Sequence, residues 1–378
     1  ETNSRRGTGA KIMRIAIAAD THIGANKFGV SDDKWRAPVV ELVDYAIENK
    51  LDAVALAGDV FHSRKPSPSD QKFMYEQIKR LNNEMIAFMG ADGNHDDEIA
   101  ADSISGTWAF FSAMLWARKL PMSYVWGDTN FVFLPWVTPQ AYEVSEGSLE
   151  SQNELTQAVV LDQLQKLLDP KQKSVLIGHA MVSYAGGTEL APSPNLQWAG
   201  KDVVFDYDAL AKNFDAVFLG HVHDPAQAGY VGSSQPTDWG DAAQTKRFIV
   251  LDTSDMSTES IPYKTSIKVL DANEDTQLEH EAILYDVARY RQDVPAGAAP
   301  TPKWIADLRR ELSLIADVVE SIEINVERVV AMRVATDTPL AAMVPTDAVN
   351  AWIKHTRVDA RFAKGVREKF QSVLEHSK

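Results

Sequence analysis

The sequence predicts an α/β fold built on a parallel or mixed sheet, and three features support this prediction. Short apolar runs alternate with amphipathic segments along the first half of the chain, as strands alternate with crossover helices. Hydrophobic residues make up 45% of the 378 residues, which is enough for a large buried core. Short polar motifs end the apolar runs, as expected where the carboxyl ends of parallel strands bind ligands.

The first half of the chain contains the clearest predicted elements. Compact apolar runs predict buried strands at residues 13–19, 53–57 and 85–89. Residues 35–50 carry apolar side chains at helical spacing and predict an amphipathic helix. Residues 66–83 predict a second helix, with Ser69 as its N-cap.

The second half repeats this alternation with different spacing. Predicted strands lie at residues 131–137, 174–177, 216–219, 228–231 and 248–251. Residues 155–168 predict a helix between the first two of these strands. Farther along, residues 261–270 and 321–334 alternate as strands do. Residues 304–320 predict a helix that begins after Thr301 as N-cap.

The composition excludes several classes of protein. The chain has no cysteine, which excludes disulfides, thiolate catalysis and zinc–thiolate sites, and we expect a cytoplasmic protein. No apolar run reaches membrane-spanning length, so we expect no membrane partner. Residues 1–12 are polar and lack the apolar core of a secretory signal, and we expect a disordered extension there.

The net charge of −15 counts against a large electrostatic footprint for nucleic acid, because nucleic-acid binders are more often basic. Two features weaken this objection. Acidic metal ligands are neutralised when metals bind, and residues 354–378 are rich in lysine and arginine. The charge therefore leaves both a DNA substrate and a small-molecule substrate open.

Five polar motifs at the ends of apolar runs contain six of the nine histidines of the chain. They are Asp20-Thr21-His22, Gly58-Asp59-Val60-Phe61-His62, Gly93-Asn94-His95-Asp96, Gly178-His179 and Gly220-His221-Val222-His223. Aspartate, asparagine and histidine supply the oxygen and nitrogen ligands that a pair of divalent metals needs. Glycine precedes the first polar residue of the last four motifs and predicts tight turns that aim that side chain inward.

Each motif alone also has an ordinary structural interpretation. Asp59 alone could cap a helix, and His62 alone could hydrogen-bond a loop carbonyl. A lone Asp-x-His or Gly-His is too common to indicate a function. All five motifs in this order, each at the end of a predicted strand, indicate a metal site.

In their set and order, the motifs resemble those of the calcineurin-like metallophosphoesterase superfamily over about residues 13–255. The superfamily pattern is D-x-H, G-D, G-N-H-D/E, a lone H after a strand, and G-H-x-H, and every part of it is present. The resemblance implies a four-layer α/β/β/α sandwich with a smaller α+β capping domain. It divides the chain into an extension at 1–12, a catalytic domain at 13–255, a capping domain at 256–344 and a helical segment at 345–378.

The resemblance also implies which side chains hold two divalent metal ions. One ion would be held by Asp20, His22, Asp59 and His223. The other would be held by Asp59, Asn94, His179 and His221. His95 would be the catalytic histidine beside the phosphate. Hard oxygen ligands mixed with imidazole favour Mn²⁺, with Mg²⁺ as the second choice.

Two local segments resemble those of the SbcD-type DNA double-strand-break repair nucleases. Gly-Asp-Val-Phe-His would place His62 beside the active site as a second catalytic histidine. The later segment Tyr-Val-Gly-Ser-Ser-Gln-Pro, followed by Trp239-Gly240-Asp241, resembles the family segment Y-x-G-S-P…F-x-E. It would place Ser233 and Ser234 in substrate binding, although Gly-Ser-Ser-Gln-Pro could also be an ordinary turn. The resemblance implies a nuclease of DNA repair or recombination in which a metal-activated water is the nucleophile. Such an enzyme would be a 3′-to-5′ exonuclease on duplex ends and an endonuclease on single strands or hairpins.

Two other functions stay open at this point. A small-molecule phosphodiesterase or phosphatase of the same superfamily is the main alternative, and the negative charge favours it. A non-enzymatic scaffold that keeps the fold is the least favoured, because no ligand position is substituted.

The same resemblance implies three partners: DNA, an SbcC-type coiled-coil ATPase and a second copy of the chain. An apolar stripe that could bind the ATPase, or pack on the capping domain, consists of Phe362, Val366, Phe370 and Val373. Residues 108–120 are a candidate dimer surface, although burial within the monomer explains them equally well. Trp198 and Trp239 could stack on bases. We expect core positions for Trp35, Trp108, Trp116 and Trp136.

Overall fold

The computed structural model describes residues 12–96, 115–184, 202–277, 285–295 and 298–326, together with residues 349 and 369. Its strands are β1 (Arg14–Ala18), β2 (Ala53–Ala57), β3 (Ala87–Ala91), β4 (Leu115–Ala117), β5 (Met122–Trp126), β6 (Thr129–Leu134), β7 (Lys173–His179), β8 (Met181–Ser183), β9 (Val204–Asp206), β10 (Ala216–Gly220), β11 (Arg247–Asp252), β12 (Ser257–Pro262), β13 (Val269–Ala272), β14 (Tyr285–Val294) and β15 (Ala316–Val326). Its helices are α1 (Asp32–Glu48), α2 (Pro68–Asn83), α3 (Leu149–Lys166), α4 (Tyr207–Ala211) and α5 (Pro302–Leu312). Short 3₁₀ turns lie at Lys27–Gly29, Pro139–Tyr142 and Trp239–Asp241.

Two sheets form the centre of the molecule. The first has the strand order β12-β11-β1-β2-β3-β4, and β1 to β4 run parallel while β11 is antiparallel to β1. The second has the order β10-β7-β6-β5, in which β10, β7 and β6 run parallel. Within each sheet, the carboxyl ends of the parallel strands therefore share one edge.

Alternation along the strands explains why the sheets pack face to face. Ile15 and Ile17 of β1 join Phe131 and Phe133 of β6 in a single buried cluster between the sheets. The residues between them point the other way, because successive side chains of a strand lie on opposite faces. On that outer face of the first sheet, Val54 of β2 packs in the cluster that includes side chains of α1 and α2.

Helix α3 covers the outer face of the second sheet. Its Val160 and Leu164 are buried together with Val132 and Leu134 of β6. The order of layers is therefore helices, sheet, sheet, helices, and the predicted α/β/β/α sandwich is confirmed. None of the helices among the described residues is long and apolar enough to cross a membrane.

The first two predicted strands and the helices that follow them are confirmed, and the third strand lies two residues later than predicted, at Ala87–Ala91. One predicted cap is wrong. Helix α2 begins at Pro68, and the Ser67 hydroxyl accepts a hydrogen bond from Asp70 N at 3.1 Å. Ser67 is therefore the N-cap, not Ser69. Proline at the first helical position fits this start, because the missing N–H would have had no partner there. Helix α1 likewise begins earlier than predicted, after the N-cap Ser31.

Several predicted boundaries in the second half are also wrong. The run at 261–270 is two strands, β12 and β13, rather than one. Helix α5 is capped by Thr301 as predicted, but it ends at Leu312 because β15 begins at Ala316. The predicted strand at 228–231 is reduced to one isolated bridge, between Leu219 and Tyr230.

The chain divides into two compact units. The first comprises the residues up to Gln292 together with Pro300–Glu323, and the second comprises Asp293–Ala299 together with the residues from Ile324 onward. Strand β12 extends the first sheet beyond residue 255 by pairing with β11. The division into catalytic, capping and C-terminal segments stays a prediction. The predicted extension at 1–12 lies almost wholly, and the stripe from Phe362 to Val373 wholly, outside the described residues.

Candidate metal centre

The predicted ligands lie where five parallel strands end. Asp20 lies just beyond β1, Asp59 just beyond β2, and Asn94 just beyond β3. His179 is the last residue of β7, and His221 follows β10 directly. His179 Nε2, from the second sheet, lies 3.6 Å from Asp59 Oδ2, from the first sheet. The strand edges of the two sheets thus bring side chains together that are far apart in sequence.

One group of side chains consists of Asp20, His22 and His223, which we call the His223 half of the site. One ligand atom of each lies within 4.8 Å of the others. His22 Nε2 and His223 Nε2 are only 3.1 Å apart, although 201 residues separate them in sequence. The predicted first ligand set is therefore gathered in space.

A second group consists of Asn94, His179 and His221, which we call the Asn94 half. Asn94 Oδ1 lies 3.0 Å from His179 Nε2 and 3.1 Å from His221 Nδ1. Asp59 lies between the halves, because its Oδ2 is 3.7 Å from His22 Nε2 and 3.6 Å from His179 Nε2. Asp20 is also within reach of the second group, since it forms a close cluster with Asp59 and His179.

The chemistry of these donors fits metal ions. His179 Nδ1 lies 2.8 Å from the carbonyl oxygen of Ala57, which can only accept, so Nδ1 carries the ring proton. Burial lowers the pKa of His179 to about 3, and the ring is neutral. Its Nε2 therefore presents a lone pair to two oxygen acceptors, Asn94 Oδ1 and Asp59 Oδ2. Three lone-pair atoms that face one another in a buried position are best satisfied by a cation.

The other histidines of the site are neutral for the same reason. Burial lowers the pKa of His223 to about 3 and holds the pKa of His22 and of His221 well below the ordinary value. Neutral imidazole is the form that binds metals. The donor set of imidazole, carboxylate and amide contains no sulfur, which suits divalent ions of the first transition row and does not select one of them.

Buried carboxyl groups add to the case for cations. Burial raises the pKa of Asp59 to about 7 and holds the pKa of Asp20 well above its usual range. The two groups are close enough for the charge of Asp59 to raise the pKa of Asp20 further. Divalent ions would stabilise both carboxylates in their ionised form.

His95 and His62 lie together at the side of the His223 half. His95 Nδ1 lies 2.5 Å from the backbone oxygen of His62, and the two rings stack with centroids 5.2 Å apart. The His95 backbone N–H donates to Asp59 Oδ1 at 2.8 Å. Since Nδ1–H donates to the carbonyl, His95 Nε2 is the atom left for a substrate. Burial lowers the pKa of His95 and lowers that of His62 to about 4.

Four predicted ligands occupy left-handed backbone conformations. The φ angles are 48° at Asp20, 43° at His22, 50° at Asp59 and 97° at His221. Such conformations cost about 1–3 kcal/mol each for residues other than glycine and cluster at functional sites. Backbone hydrogen bonds hold them here, from Asp20 N to Gly58 O and from His22 N to Asp59 O.

The glycines of the motifs serve two different purposes. Gly58 has φ of 82°, so the predicted turn is present there, and a Cβ on it would lie 2.3 Å from His179 Nδ1. At Gly93 the predicted turn is also present without a positive φ, because Asp96 N donates to Gly93 O at 3.1 Å. Gly178 instead lies within β7, and Gly220 is the last residue of β10. The requirement at these three glycines is space: a Cβ at Gly93 would lie 2.1 Å from Asp59 Oδ1.

Asp96 contributes to the site in a way that the sequence did not reveal. It is buried, and its carboxylate accepts hydrogen bonds from Val60 N, Phe61 N and Gly93 N at 2.9–3.3 Å. These bonds join the loop after β2 to the loop after β3. The acid in the last position of Gly-Asn-His-Asp was the available signal, but only tertiary structure shows what it binds.

Trp136 is a second missed residue, and its predicted core position is wrong. Its half-buried ring lies 4.6 Å from the ring of His221 and 5.8 Å from that of His179, centroid to centroid. It directly follows β6 and Pro135, so it reaches the same strand edge as the ligands. Trp35 is buried as predicted, and its indole N–H donates to His22 O at 2.9 Å.

The remaining predicted contacts are placed as follows. Ser233 is fully buried and its hydroxyl donates to Gln235 O at 2.7 Å. Ser234 N donates to Asp20 O at 3.4 Å, and its buried hydroxyl has no hydrogen-bond partner among the described residues. Trp239 packs against Phe28, with the Arg289 guanidinium 4.5 Å from the centre of its ring. Substrate binding by these three residues stays a prediction.

Two of the tryptophan predictions, and part of the candidate dimer surface, concern residues that the structure does not describe. Trp198 and Trp108 lie outside the described residues, as do residues 108–114 of the candidate dimer surface. Trp116, within the described remainder of that surface, stacks on Phe88 and donates its indole N–H to Asp92 Oδ1 at 2.6 Å.

Comparison with known proteins relates the chain to a family. Residues 13–225 match the sequence profile of the calcineurin-like phosphoesterases. The chain is 25% identical over 256 residues to the D subunit of nuclease SbcCD from Staphylococcus epidermidis, an alignment that covers 64% of this chain and 66% of that protein. It is 23% identical over 278 residues to the protein of the same name from Staphylococcus saprophyticus, covering 69% and 72%.

An archaeal protein also matches. The DNA double-strand break repair protein Mre11 of Haloferax volcanii is 24% identical over 228 residues, which is 59% of this chain but 44% of that protein. The chain thus spans less than half of this relative and just under two thirds of the Staphylococcus epidermidis protein.

Proposed function

The chain belongs to the calcineurin-like phosphoesterase family, and from this premise we propose that it is a two-metal nuclease that hydrolyses phosphodiester bonds in DNA. The observation that carries the proposal is the placement of His62 and His95 beside His22, at the side of the His223 half, with the His95 backbone N–H donating to Asp59 Oδ1. Relatives named as part of a nuclease and as a break-repair protein support DNA as the substrate.

The residues that would hold the ions are those of the two halves and the shared Asp59. Bound divalent ions, Mn²⁺ before Mg²⁺, would act as Lewis acids on the phosphoryl oxygens and lower the pKa of the attacking water. Asp59 would be the ligand that the two halves share, because its Oδ2 faces both halves while its Oδ1 accepts from His95 N.

His95 would act at the departing oxygen. Hydrolysis forms a bond from water oxygen to phosphorus and breaks the bond from phosphorus to the sugar oxygen, which must then gain a proton. The contact from His95 Nδ1 to His62 O leaves Nε2 as the ring atom that would meet the phosphate. Burial favours the neutral ring, but the negative charge of a bound phosphodiester would favour the imidazolium. In that form His95 would donate the proton or stabilise the developing charge.

The finer parts of the proposal concern substrate and partners. We expect 3′-to-5′ exonuclease activity on duplex ends and endonuclease activity on single strands or hairpins, in cytoplasmic DNA repair or recombination. An SbcC-type coiled-coil ATPase and a second copy of the chain are the proposed partners. Ser233 and Ser234 remain candidates for substrate binding, acting through the loop that contacts Asp20.

A small-molecule phosphodiesterase or phosphatase is the second candidate. The net charge of −15 favours it, because the chain as a whole repels a DNA backbone. A small diester requires the same metal chemistry but no extended basic surface.

A substrate comparison separates the two candidates. We expect the Mn²⁺-loaded protein to cleave duplex DNA carrying a label at either end, and the order in which labelled products appear gives the polarity. Bis-p-nitrophenyl phosphate serves as the small diester. Hydrolysis of the small diester without cleavage of any DNA, even after addition of the partner ATPase, would contradict the nuclease proposal.

The role of His95 has its own test. His95→Gln should lower the rate of cleavage by about 10²–10⁴-fold, the usual contribution of general acid–base catalysis. The variant should still bind two metal ions, because the contact to Asp59 comes from the backbone of residue 95. Loss of bound metal, measured by elemental analysis, would show that His95 is a ligand instead.

A further inference from the structure

Three polar side chains beyond the last motif form a connected chain that ends on the ring of His223. Thr237 Oγ1 lies 2.6 Å from His223 Nδ1. Asp241 Oδ2 accepts from Thr237 N at 2.9 Å and lies 3.2 Å from Thr237 Oγ1. Lys246 Nζ lies 3.3 Å from the same Asp241 oxygen. We call these three residues the Thr237 chain.

The direction of these hydrogen bonds follows from what each group can donate. The Asp241 carboxylate can only accept, so the single hydroxyl proton of Thr237 is donated to it. The Thr237 oxygen is then left to accept from His223 Nδ1–H. The ring proton of His223 is therefore on Nδ1, and Nε2 carries a lone pair directed at His22 and the rest of the His223 half.

Lys246 anchors the chain at its other end. Its side chain is 2% exposed, and a lysine is almost never fully buried unless it is paired. Its ammonium group donates to Gln244 Oε1 at 2.6 Å and to His223 O at 3.2 Å, in addition to its contact with Asp241. It therefore binds both the backbone of His223 and the carboxylate that orients the ring.

In the Asn94 half, the ring of His179 is oriented by the backbone rather than by a side chain. There the Nδ1 proton of His179 is held by the Ala57 carbonyl, which is backbone of β2. Among the described residues, no backbone oxygen accepts from His223 Nδ1, and the Thr237 hydroxyl takes that place.

We propose that Thr237 and Asp241 are positioning residues that keep His223 Nε2 unprotonated and aimed at the metal of the His223 half, with Lys246 as their anchor. The proposal rests on the metal site of the proposed function but not on the identity of the substrate. Groups that orient a metal-binding histidine commonly contribute about 10- to 100-fold to metal affinity. The contribution to metal affinity should affect only the ion in the His223 half.

Metal binding by Thr237→Val tests this directly, because valine has nearly the same shape but no hydroxyl. We expect Mn²⁺ titration by calorimetry to show one ion bound about 10- to 100-fold more weakly than in the unaltered chain and the other unchanged. Thr237→Ser should restore the affinity. Thr156→Val is the matched control, since Thr156 is also buried but its hydroxyl donates to Gln152 O of its own helix.

A spectroscopic measurement separates positioning from folding. In the metal-free protein, ¹⁵N NMR of the imidazole should show the proton of His223 on Nδ1, and Thr237→Val should shift it toward Nε2. Asp241→Asn should act in the same direction, because the amide can donate to Thr237 and turn its hydroxyl toward His223. This second variant also keeps the test available if valine at 237 prevents folding.

Two results would overturn the proposal. One is unchanged binding of both ions in Thr237→Val and Asp241→Asn, and the other is an unchanged His223 tautomer. Neither measurement uses DNA, so an inactive enzyme with the expected metal affinities would contradict the proposed function and leave this inference standing.

Discussion

The two halves of the candidate metal site use the same kinds of ligand but are held in different ways. In the Asn94 half, His179 donates to the backbone of β2, and its Nε2 meets the amide oxygen of Asn94. In the His223 half, the histidine is oriented by Thr237, which is in turn held by Asp241. The ring of His179 is therefore held by the fold itself, whereas that of His223 depends on side chains that single substitutions can remove.

Neither half belongs to one sheet. His22 follows β1 of the first sheet, and His223 follows β10 of the second. Asn94 and His179 divide in the same way between β3 and β7. Each half therefore requires the apolar packing between the sheets, and Asp59 faces both halves with a single carboxylate oxygen.

The largest effect is expected from a substitution of Asp59, the residue that faces both halves. Asp59→Asn should lower phosphodiester hydrolysis by roughly 10³-fold or more, as loss of one member of a catalytic unit commonly does. It should also weaken the binding of both ions, measured by elemental analysis and Mn²⁺ titration. Asp44→Asn is the control, because Asp44 pairs with Arg80 on the surface. Weakened binding of one ion only would assign Asp59 to one half.

A substitution of Gly58 tests the backbone that supports the Asn94 half. Gly58→Ala should destabilise the protein by about 2–5 kcal/mol, because its φ is positive and the new Cβ would meet the His179 ring. Gly29→Ala is the control, since φ is 65° there but nothing lies within 4 Å of the added atom. It should cost only about 1–2 kcal/mol. Urea unfolding measures both, and equal losses would show that His179 yields to the methyl group.

A smaller effect should follow from removal of the Trp136 ring, which lies beside the Asn94 half. Trp136→Ala should weaken binding of the ion in that half by about 2- to 10-fold, since aromatic pairs contribute about 0.5–1.5 kcal/mol. The ion of the His223 half should be unaffected, because Trp136 lies against the rings of His179 and His221. Trp304→Ala, in α5, is the control for loss of an indole. Equal weakening of both ions would contradict the separation of the halves.

The smallest effect should come from a helix cap remote from both halves. Ser67→Ala should destabilise the protein by about 1 kcal/mol through loss of the cap to Asp70 N. Ser69→Ala should change the free energy of unfolding by less than about 0.5 kcal/mol. Thermal unfolding distinguishes them, and both variants should bind two ions with unchanged affinity. A larger loss at Ser69 would contradict Ser67 as the cap.

Much of the fold could be predicted because the signals were local. The apolar runs at β1 and β2 and the helical spacing of α1 need no distant partner to be recognised. The errors arose where a local pattern had two solutions. Both Ser67 and Ser69 suit an N-cap, and the choice is made by the start at Pro68. The segment after Thr301 continues a helical pattern, but the chain changes to β15 at Ala316.

The same distinction between local and tertiary signals applies to the candidate site. The types of ligand and their positions at strand ends could be predicted, since both follow from short motifs after apolar runs. The position of Trp136 could not, because an aromatic residue beside an apolar run usually belongs to the core. The Thr237 chain could not be predicted either, since it is recognised only by contacts among residues on a loop without a sequence period.

By itself, the sequence determined which ligands are available and that each follows a strand. Only the tertiary structure decided how they are shared: His22 with His223 across 201 residues, and Asn94 with His179 and His221. The physical reason is that strand order and the packing of two sheets set the distances between strand ends. A sequence motif contains no information on strand order or on sheet packing. The grouping of the ligands into two halves, and the contacts that orient their histidines, are therefore visible only in the folded protein.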